Sequence, residues 1–125
     1  NKNYDNKILI YLKKYKITLI CLAGYMKIIS KNFKKQYRNK IINIHPSLLP
    51  KFKGLNTFSR VLKNNEKKTG CTVHSVNEKL DSGNVISQKS FYINPDDNEA
   101  ILKRKTQKLE YLAFPEAIIK IFRNN

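Results

Sequence analysis

The sequence predicts an α/β fold in which a twisted, mostly parallel sheet is flanked by helices. With 125 residues, 41% of them apolar, the chain has enough material for one domain with its own core. Short apolar runs rich in branched side chains alternate with segments whose apolar residues recur at helical spacing. Such alternation is typical of α/β proteins. We therefore expect a single domain over residues 1–125.

The first half of the chain predicts a helix, a strand, a second helix and a second strand. Residues 3–15 carry apolar side chains at helical spacing with lysines on the other face, and residues 17–23 predict a strand that is buried on both faces. Ser30 is expected to cap a short helix, and residues 41–44 predict the next buried strand. The predicted apolar face of the first helix consists of Tyr4, Ile8, Tyr11, Leu12 and Tyr15.

The second half predicts a helix, two strands and a long helical region. A helix is expected to begin at Thr57 and to end within the polar residues 64–70. Strands are predicted at 71–76 and 85–93, on either side of a turn-rich segment. In the last helical region Pro115 is expected to kink or divide the helix. The predicted core residues of its final part are Ile118, Ile121 and Phe122.

Cysteine spacing and hydropathy exclude several classes of protein. Cys21 and Cys71 lie in apolar runs without zinc or redox spacing, so we expect both to be reduced core residues and the chain to bind no metal. The apolar run 17–26 is about half the length of a membrane span, and no signal-like segment opens the chain. A soluble, cytoplasmic protein is expected.

The net charge of +16 has two interpretations that the sequence leaves open. Asn, Ile and Lys supply 51 of the 125 residues, a bias that an AT-rich coding sequence would produce. Alternatively, the basic surface is functional, because clustered cations attract anions. Between Asp5 and Glu66 there are 14 Lys or Arg and no acidic residue, which would favour an anionic small substrate.

The residues best suited to chemistry follow the second buried strand, in the segment Asn-Ile-His-Pro-Ser-Leu-Leu-Pro at 43–50. Asn43 and His45 are two positions apart, so they point the same way at the strand end where open α/β sheets bind ligands. An amide donor beside an imidazole can stabilise the oxyanion formed at an attacked carbonyl. Asp81 is a candidate carboxylate partner for His45. From spacing alone, a loop cap and a turn residue remain alternatives.

Two further observations limit this interpretation. His74, the other histidine, lies within a predicted strand and is expected to pack or to support the site from there. The four glycines are widely separated, so no glycine-rich phosphate loop is present.

Four segments in order resemble the phosphoribosylglycinamide formyltransferases: Leu-Ala-Gly-Tyr-Met-Lys-Ile-Ile (22–29), the 43–50 segment, Gly-Cys-Thr-Val-His-Ser-Val (70–76) and Leu-Asp-Ser-Gly (80–83). The resemblance runs over essentially the whole chain. It implies a Rossmann-like formyltransferase fold. It also implies transfer of a formyl group from 10-formyltetrahydrofolate, the co-substrate, to the amine of glycinamide ribonucleotide in purine biosynthesis.

The resemblance also implies roles for individual residues. Asn43 and His45 match the residues that stabilise the oxyanion and supply a proton, and Asp81 matches the carboxylate that raises the histidine pKa. Glu110 matches a glutamate that contacts the glycinamide substrate. The residues that match the folate-binding segment are Met26, Lys27, Ile28 and Ile29, with Asn43 beside them.

The sequence also departs from the family. The family's first strand and its phosphate-binding glycine loop have no counterpart, so this chain is expected to be the C-terminal two-thirds of the family's chain, with the N-terminal strands missing. Phe58 and Tyr111 stand where the family usually has histidine.

Two rival functions follow from the same residues. One is a formyltransferase of other specificity, acting on methionyl-tRNA or hydrolysing the formyl group, although Pro46 favours the glycinamide enzymes. The other is an inactive, basic nucleic-acid-binding remnant. The expected partners are small-molecule substrates rather than a membrane or a nucleic acid, and a homodimer is left open.

Overall fold

The computed structural model describes residues 2–24, 29–76 and 83–123, and it confirms the predicted α/β fold. Helices and strands alternate along the first half, and two adjacent strands and a long helix complete the second. The sequence predictions for residues 25–28 and 77–82 lie outside the described residues. The elements are α1 (Lys2–Lys14), β1 (Ile20–Leu22), α2 (Lys31–Gln36), β2 (Ile41–His45), α3 (Thr57–Lys63), β3 (Lys68–Ser75), β4 (Val85–Tyr92) and α4 (Glu99–Arg123).

The four described strands form one sheet in the order β1-β2-β3-β4. Strand β1 runs parallel to β2, whereas the β2–β3 and β3–β4 pairs are antiparallel. The described sheet is therefore mixed, which corrects the expectation of a mostly parallel one. Only residues 76–84 connect β3 to β4. A parallel crossover needs about 12 residues or more, so this short connection requires the two strands to be antiparallel.

Two hydrophobic cores lie on opposite faces of the sheet. Ile42 and Ile44 of β2 pack in one cluster with Ala113 and Ala117 of α4. Ile41 belongs to the second cluster, which contains Leu9 of α1 and Phe33 of α2. Because successive side chains of a strand point to opposite faces, β2 contributes to both cores, and the fold has three layers.

Helix α1 buries Ile8 and Leu12 as predicted, but its buried face is centred on Asp5 and Leu9 and excludes the predicted tyrosines. Asp5 and Leu9 are 1% and 4% exposed, whereas Tyr11 and Tyr15 are 61% and 65% exposed. The buried stripe follows Asp5 and Leu9, with Ile8 and Leu12 packed beside it. Tyrosines tolerate the exposed side because the ring can cover lysine stems while the hydroxyl remains in water.

Strand β1 also differs from its prediction. It spans three residues at an edge of the described sheet, and Cys21 is exposed, so the expectation of burial on both faces was wrong. The expectation that Cys21 is a core residue was wrong for the same reason. Cys71, at the centre of the antiparallel strands, is fully buried as expected.

Helix α4 continues through Pro115 without division. The residue is exposed and Tyr111, whose carbonyl loses its helical donor to the proline, is 75% exposed, so water can satisfy that carbonyl. Ile118 and Ile121 pack against the core as predicted, but Phe122 is 57% exposed. Within residues 2–24, 29–76 and 83–123, no helix is both long and apolar enough to cross a membrane.

Strand β3 begins at Lys68, three positions before its predicted start at residue 71, and Lys68 pairs with Tyr92. Gly70, within the polar residues 68–70 that begin β3, allows this part of the strand to pair closely with β4. A Cβ at this position would collide with the backbone carbonyl of Lys89 on β4, so the close approach of the two strands requires glycine.

Candidate active site

Asn43 and His45 lie on the same face of strand β2. In the antiparallel register Asn43 is opposite His74 and His45 is opposite Thr72. Residues directly opposite one another share a face of the sheet, and this face is the one that does not pack against α4. The structure therefore brings the predicted amide and imidazole together, with a second histidine and a threonine on the neighbouring strand.

The two side chains differ in exposure and in their hydrogen bonds. His45 is 6% exposed, and its Nε2 lies 2.7 Å from the backbone oxygen of Phe52. A carbonyl can only accept, so Nε2 donates this bond and carries a proton. Asn43 is partly exposed, and its side-chain amide makes no hydrogen bond to the described part of the chain. An amide donor is thus available beside a fixed imidazole.

His74 lies in strand β3, as predicted, directly opposite Asn43. Its side chain is buried, and Nδ1 donates to the backbone oxygen of Ser75 at 2.9 Å. Nδ1 of His74 and Nε2 of His45 therefore each carry a proton. The two histidines thus bind backbone carbonyls through different ring nitrogens.

The loop that follows β2 is fixed by hydrogen bonds to the sheet. The Thr72 hydroxyl donates to the backbone oxygen of Ser47 at 2.7 Å and accepts from the backbone N–H of Leu49 at 3.1 Å. The Ser47 hydroxyl in turn donates to the oxygen of Lys51 at 2.6 Å. These hydrogen bonds fix the 46–53 loop in a conformation that places the Phe52 carbonyl next to the His45 ring.

Of the four consecutive residues predicted to hold folate, Met26, Lys27 and Ile28 lie outside the described residues, as does Asp81. Ile29 is partly buried against the cluster that contains Phe33. The next residue, Ser30, caps α2 as predicted, since its hydroxyl accepts from the N–H of Phe33 at 3.2 Å.

Asp5 fixes the point where the chain enters α2. Its Oδ2 accepts a 2.7 Å hydrogen bond from the backbone N–H of Ser30, and the side chain is 1% exposed. Below it lies a cavity of about 90 Å³ between α1, β1 and α2. Its lining consists of Asp5, Ile8, Leu12, Ile20, Leu22, Ile29 and Phe33.

Glu110 lies in the α4 layer, on the other face of the sheet from Asn43 and His45. It is partly buried, and this burial raises the pKa of its carboxyl group. Burial and then the charge of Glu110 raise the pKa of the Cys71 thiol to about 11, which places the carboxylate near β3. Its contact with substrate stays a prediction.

Sequence reasoning missed three residues whose side chains fix the start of α2 or the loop after β2, namely Asp5, Thr72 and Gln88. Asp5 was visible as the single acid of a lysine-rich helix, a pattern that could have indicated a buried carboxylate. Thr72 lay in a segment that resembles the family but was given no role of its own. Gln88, which donates to the Thr72 hydroxyl at 2.9 Å, carried no signal, because a glutamine in a strand is usually a surface residue.

The chain matches the family model described as formyl transferase over residues 1–118. The chain belongs to the formyl transferase family. It is 44% identical over 115 residues to the trifunctional purine biosynthetic protein adenosine-3 of Drosophila melanogaster, covering 92% of this chain and 8% of that one. It is 42% identical over 122 residues to the phosphoribosylglycinamide formyltransferase of Haemophilus influenzae, covering 98% and 57%.

A solved structure supports the Rossmann-like formyltransferase architecture. The phosphoribosylglycinamide formyltransferase of Brucella melitensis superposes with a TM-score of 0.90 at 39% identity, covering 97% of this chain and 62% of that one. The chain thus spans 57% and 62% of the lengths of the Haemophilus influenzae and Brucella melitensis proteins.

Proposed function

We propose that this chain carries the catalytic strand of a phosphoribosylglycinamide formyltransferase. The reaction would move a formyl group from 10-formyltetrahydrofolate to the amine of glycinamide ribonucleotide. The observation that carries the proposal is the partly exposed Asn43 amide, which has no hydrogen bond to the described chain and lies two residues from the buried His45.

The folate supplies the formyl group, and the substrate amine is the nucleophile. As the amine adds to the formyl carbon, negative charge develops on the formyl oxygen. The Asn43 amide is placed to donate a hydrogen bond to that oxygen. When the adduct collapses, the bond between the formyl carbon and N10 of the folate breaks, the amine nitrogen gives up one proton to water, and N10 takes one up. His45 lies on the same face of β2, with its Nε2 proton held by the Phe52 carbonyl, and as the imidazolium it would supply the proton of its other ring nitrogen to N10.

Other parts of the proposal rest on the sequence resemblance. Asp81 would hold the pKa of His45 high, as a carboxylate near an imidazole does. Residues 26–29 would bind the folate, largely through backbone groups. Glu110 would bind the glycinamide substrate, and its raised pKa leaves it more readily neutral than an exposed glutamate.

The proposed partners are small molecules, and the proposed location is the cytoplasm. The phosphate of glycinamide ribonucleotide and the carboxylates of folate suit a chain with a net charge of +16. Cys21 and Cys71 are both free thiols, as is usual in a reducing compartment. A homodimer is compatible with this function.

The test is calorimetric titration of the folded chain with a non-hydrolysable 10-formyltetrahydrofolate analogue. We expect saturable binding that Asn43→Ala weakens at least about tenfold, since a donor to the formyl group is lost (about 1.4 kcal/mol per tenfold). Asn32→Ala, on the exposed side of α2, is the matched control and should bind like the unchanged chain. A folded chain that binds no analogue would contradict the proposal.

A further inference from the structure

Thr72 is the centre of the polar network beneath the 46–53 loop. The side chain is fully buried in the middle of β3, directly opposite His45. Its hydroxyl donates to the oxygen of Ser47 and accepts from the N–H of Leu49. One hydroxyl therefore binds the loop at two backbone positions, and these bonds replace water that the buried loop cannot reach.

Gln88 on β4 completes the network from the next strand. Its Nε2 donates to the Thr72 hydroxyl at 2.9 Å and to the backbone oxygen of Leu49 at 3.1 Å. The Thr72 hydroxyl consequently accepts two bonds and donates one, which is its full capacity. That saturation fixes the direction in which the hydroxyl donates, toward Ser47.

The loop ends at the carbonyl that binds His45. Phe52 has φ of 55°, a left-handed conformation that is uncommon for a residue with a side chain, so its surroundings must hold it there. Ser47 helps to hold Phe52 in this conformation, because its hydroxyl donates to the backbone oxygen of Lys51 and lies 3.4 Å from the backbone oxygen of Phe52. On the outer side Arg60 donates to the oxygen of Lys53 at 2.6 Å.

We propose that Thr72, supported by Gln88, is a positioning residue for His45. It holds the 46–53 loop so that the Phe52 carbonyl stays on Nε2 and keeps the proton there. His45 then presents a defined protonation pattern to the site. The structural part of this inference stands alone, and its catalytic consequence rests on the proposed function.

The two histidines allow the effect to be measured without an enzyme assay. In ¹⁵N-histidine-labelled protein, the ring N–H of His45 is bonded to a loop carbonyl, whereas that of His74 is bonded to the carbonyl of its own neighbour, Ser75. Loss of loop positioning should therefore release the His45 proton to exchange with water and leave the His74 proton unchanged. His74 is the internal reference.

The test compares ring N–H exchange rates in three variants. Thr72→Val keeps the shape and removes the hydroxyl, and we expect exchange at His45 to be at least tenfold faster. Thr72→Ser restores the hydroxyl and should return the rate to within about threefold of the unchanged chain. Thr69→Val makes the same chemical change at a residue that is 2% exposed on the other face of β3, and it should leave His45 unaffected.

Two results would overturn the inference. One is a folded Thr72→Val variant whose His45 exchange stays within twofold of the original rate. The other is equal acceleration by Thr69→Val, which would mean general loosening of β3. If Thr72→Val does not fold, Gln88→Met decides, because it removes the two supporting bonds from an exposed side chain. In Gln88→Met we expect exchange of the His45 ring N–H to be at least threefold faster, and an unchanged exchange rate would refute the role of the network.

The catalytic consequence has a separate readout. In a protein that contains this chain and transfers the formyl group, Thr72→Val should lower kcat about tenfold and leave KM for the formyl donor within twofold, because folate contacts are untouched. Proton exchange that changes without any formyl transfer would refute the proposed function and leave the positioning role intact.

Discussion

Replacing Asp5 tests how much a buried carboxylate contributes to the layer formed by α1 and α2. Asp5 is 1% exposed in α1, and its Oδ2 accepts from the N–H of Ser30 at 2.7 Å. Ser30 is also the N-cap of α2. This hydrogen bond therefore joins α1 to the start of α2 across a sequence separation of 25 residues.

The expected cost follows from the type of bond. A hydrogen bond to a charged group contributes about 1.5–3 kcal/mol, and a neutral one about 0.5–1.5 kcal/mol. Asp5→Asn keeps an acceptor for Ser30 and should lose about 1 kcal/mol of unfolding free energy. Asp5→Leu removes the acceptor and should lose about 2 kcal/mol, since its added contacts with the apolar cavity offset part of the lost bond.

The assay is urea unfolding followed by circular dichroism, with the slope of free energy against urea compared among variants. Asp96→Asn, at an exposed acid outside the network, is the control and should change stability by less than about 0.5 kcal/mol. An Asp5→Leu variant as stable as the unchanged chain would refute the reasoning, because the buried carboxylate would then cost as much as it contributes.

Three other expectations follow from burial and charge. Glu110→Gln should stabilise the fold at neutral pH, because burial raises the pKa of the Glu110 carboxyl group and its ionised form therefore destabilises the folded state. This destabilisation is present only above the pKa of an unfolded glutamate, so in urea unfolding the variant's added stability should vanish below about pH 4. Thr106→Val should raise the free energy of unfolding by about 1 kcal/mol, because the buried Thr106 hydroxyl has no hydrogen-bond partner in the described chain; a loss of stability would contradict this. A thiol reagent should modify exposed Cys21 at least about a hundredfold faster than Cys71, whose burial raises its pKa to about 11, and equal rates by mass spectrometry would exclude the buried position.

The elements that followed local rules were predictable from the sequence. Ser30 and the apolar pair Phe33 and Tyr37 determine α2, and the branched run at 41–45 forms β2. Asn43 and His45 were predicted to share a face because the alternation of a strand depends on spacing alone. These features require no knowledge of distant contacts.

Features set by tertiary neighbours were not predictable. The buried side of α1 depends on what α1 packs against, so Asp5 rather than Tyr11 faces inward. The start of β3 at Lys68 depends on its pairing with β4, which local propensity does not encode. The donor that fixes the loop after His45 comes from Thr72, 25 residues beyond the Ser47 oxygen that it binds.

Asn43→Ala is the substitution that tests most directly whether strand β2 carries the chemistry. The measurement is kcat for formyl transfer from 10-formyltetrahydrofolate to glycinamide ribonucleotide in a protein that contains this chain, with Asn32→Ala as the control. Loss of one donor to the developing oxyanion should lower kcat about a hundredfold or more, whereas the control should retain full turnover. A loss of less than about threefold, with the variant folded, would remove Asn43 from that role.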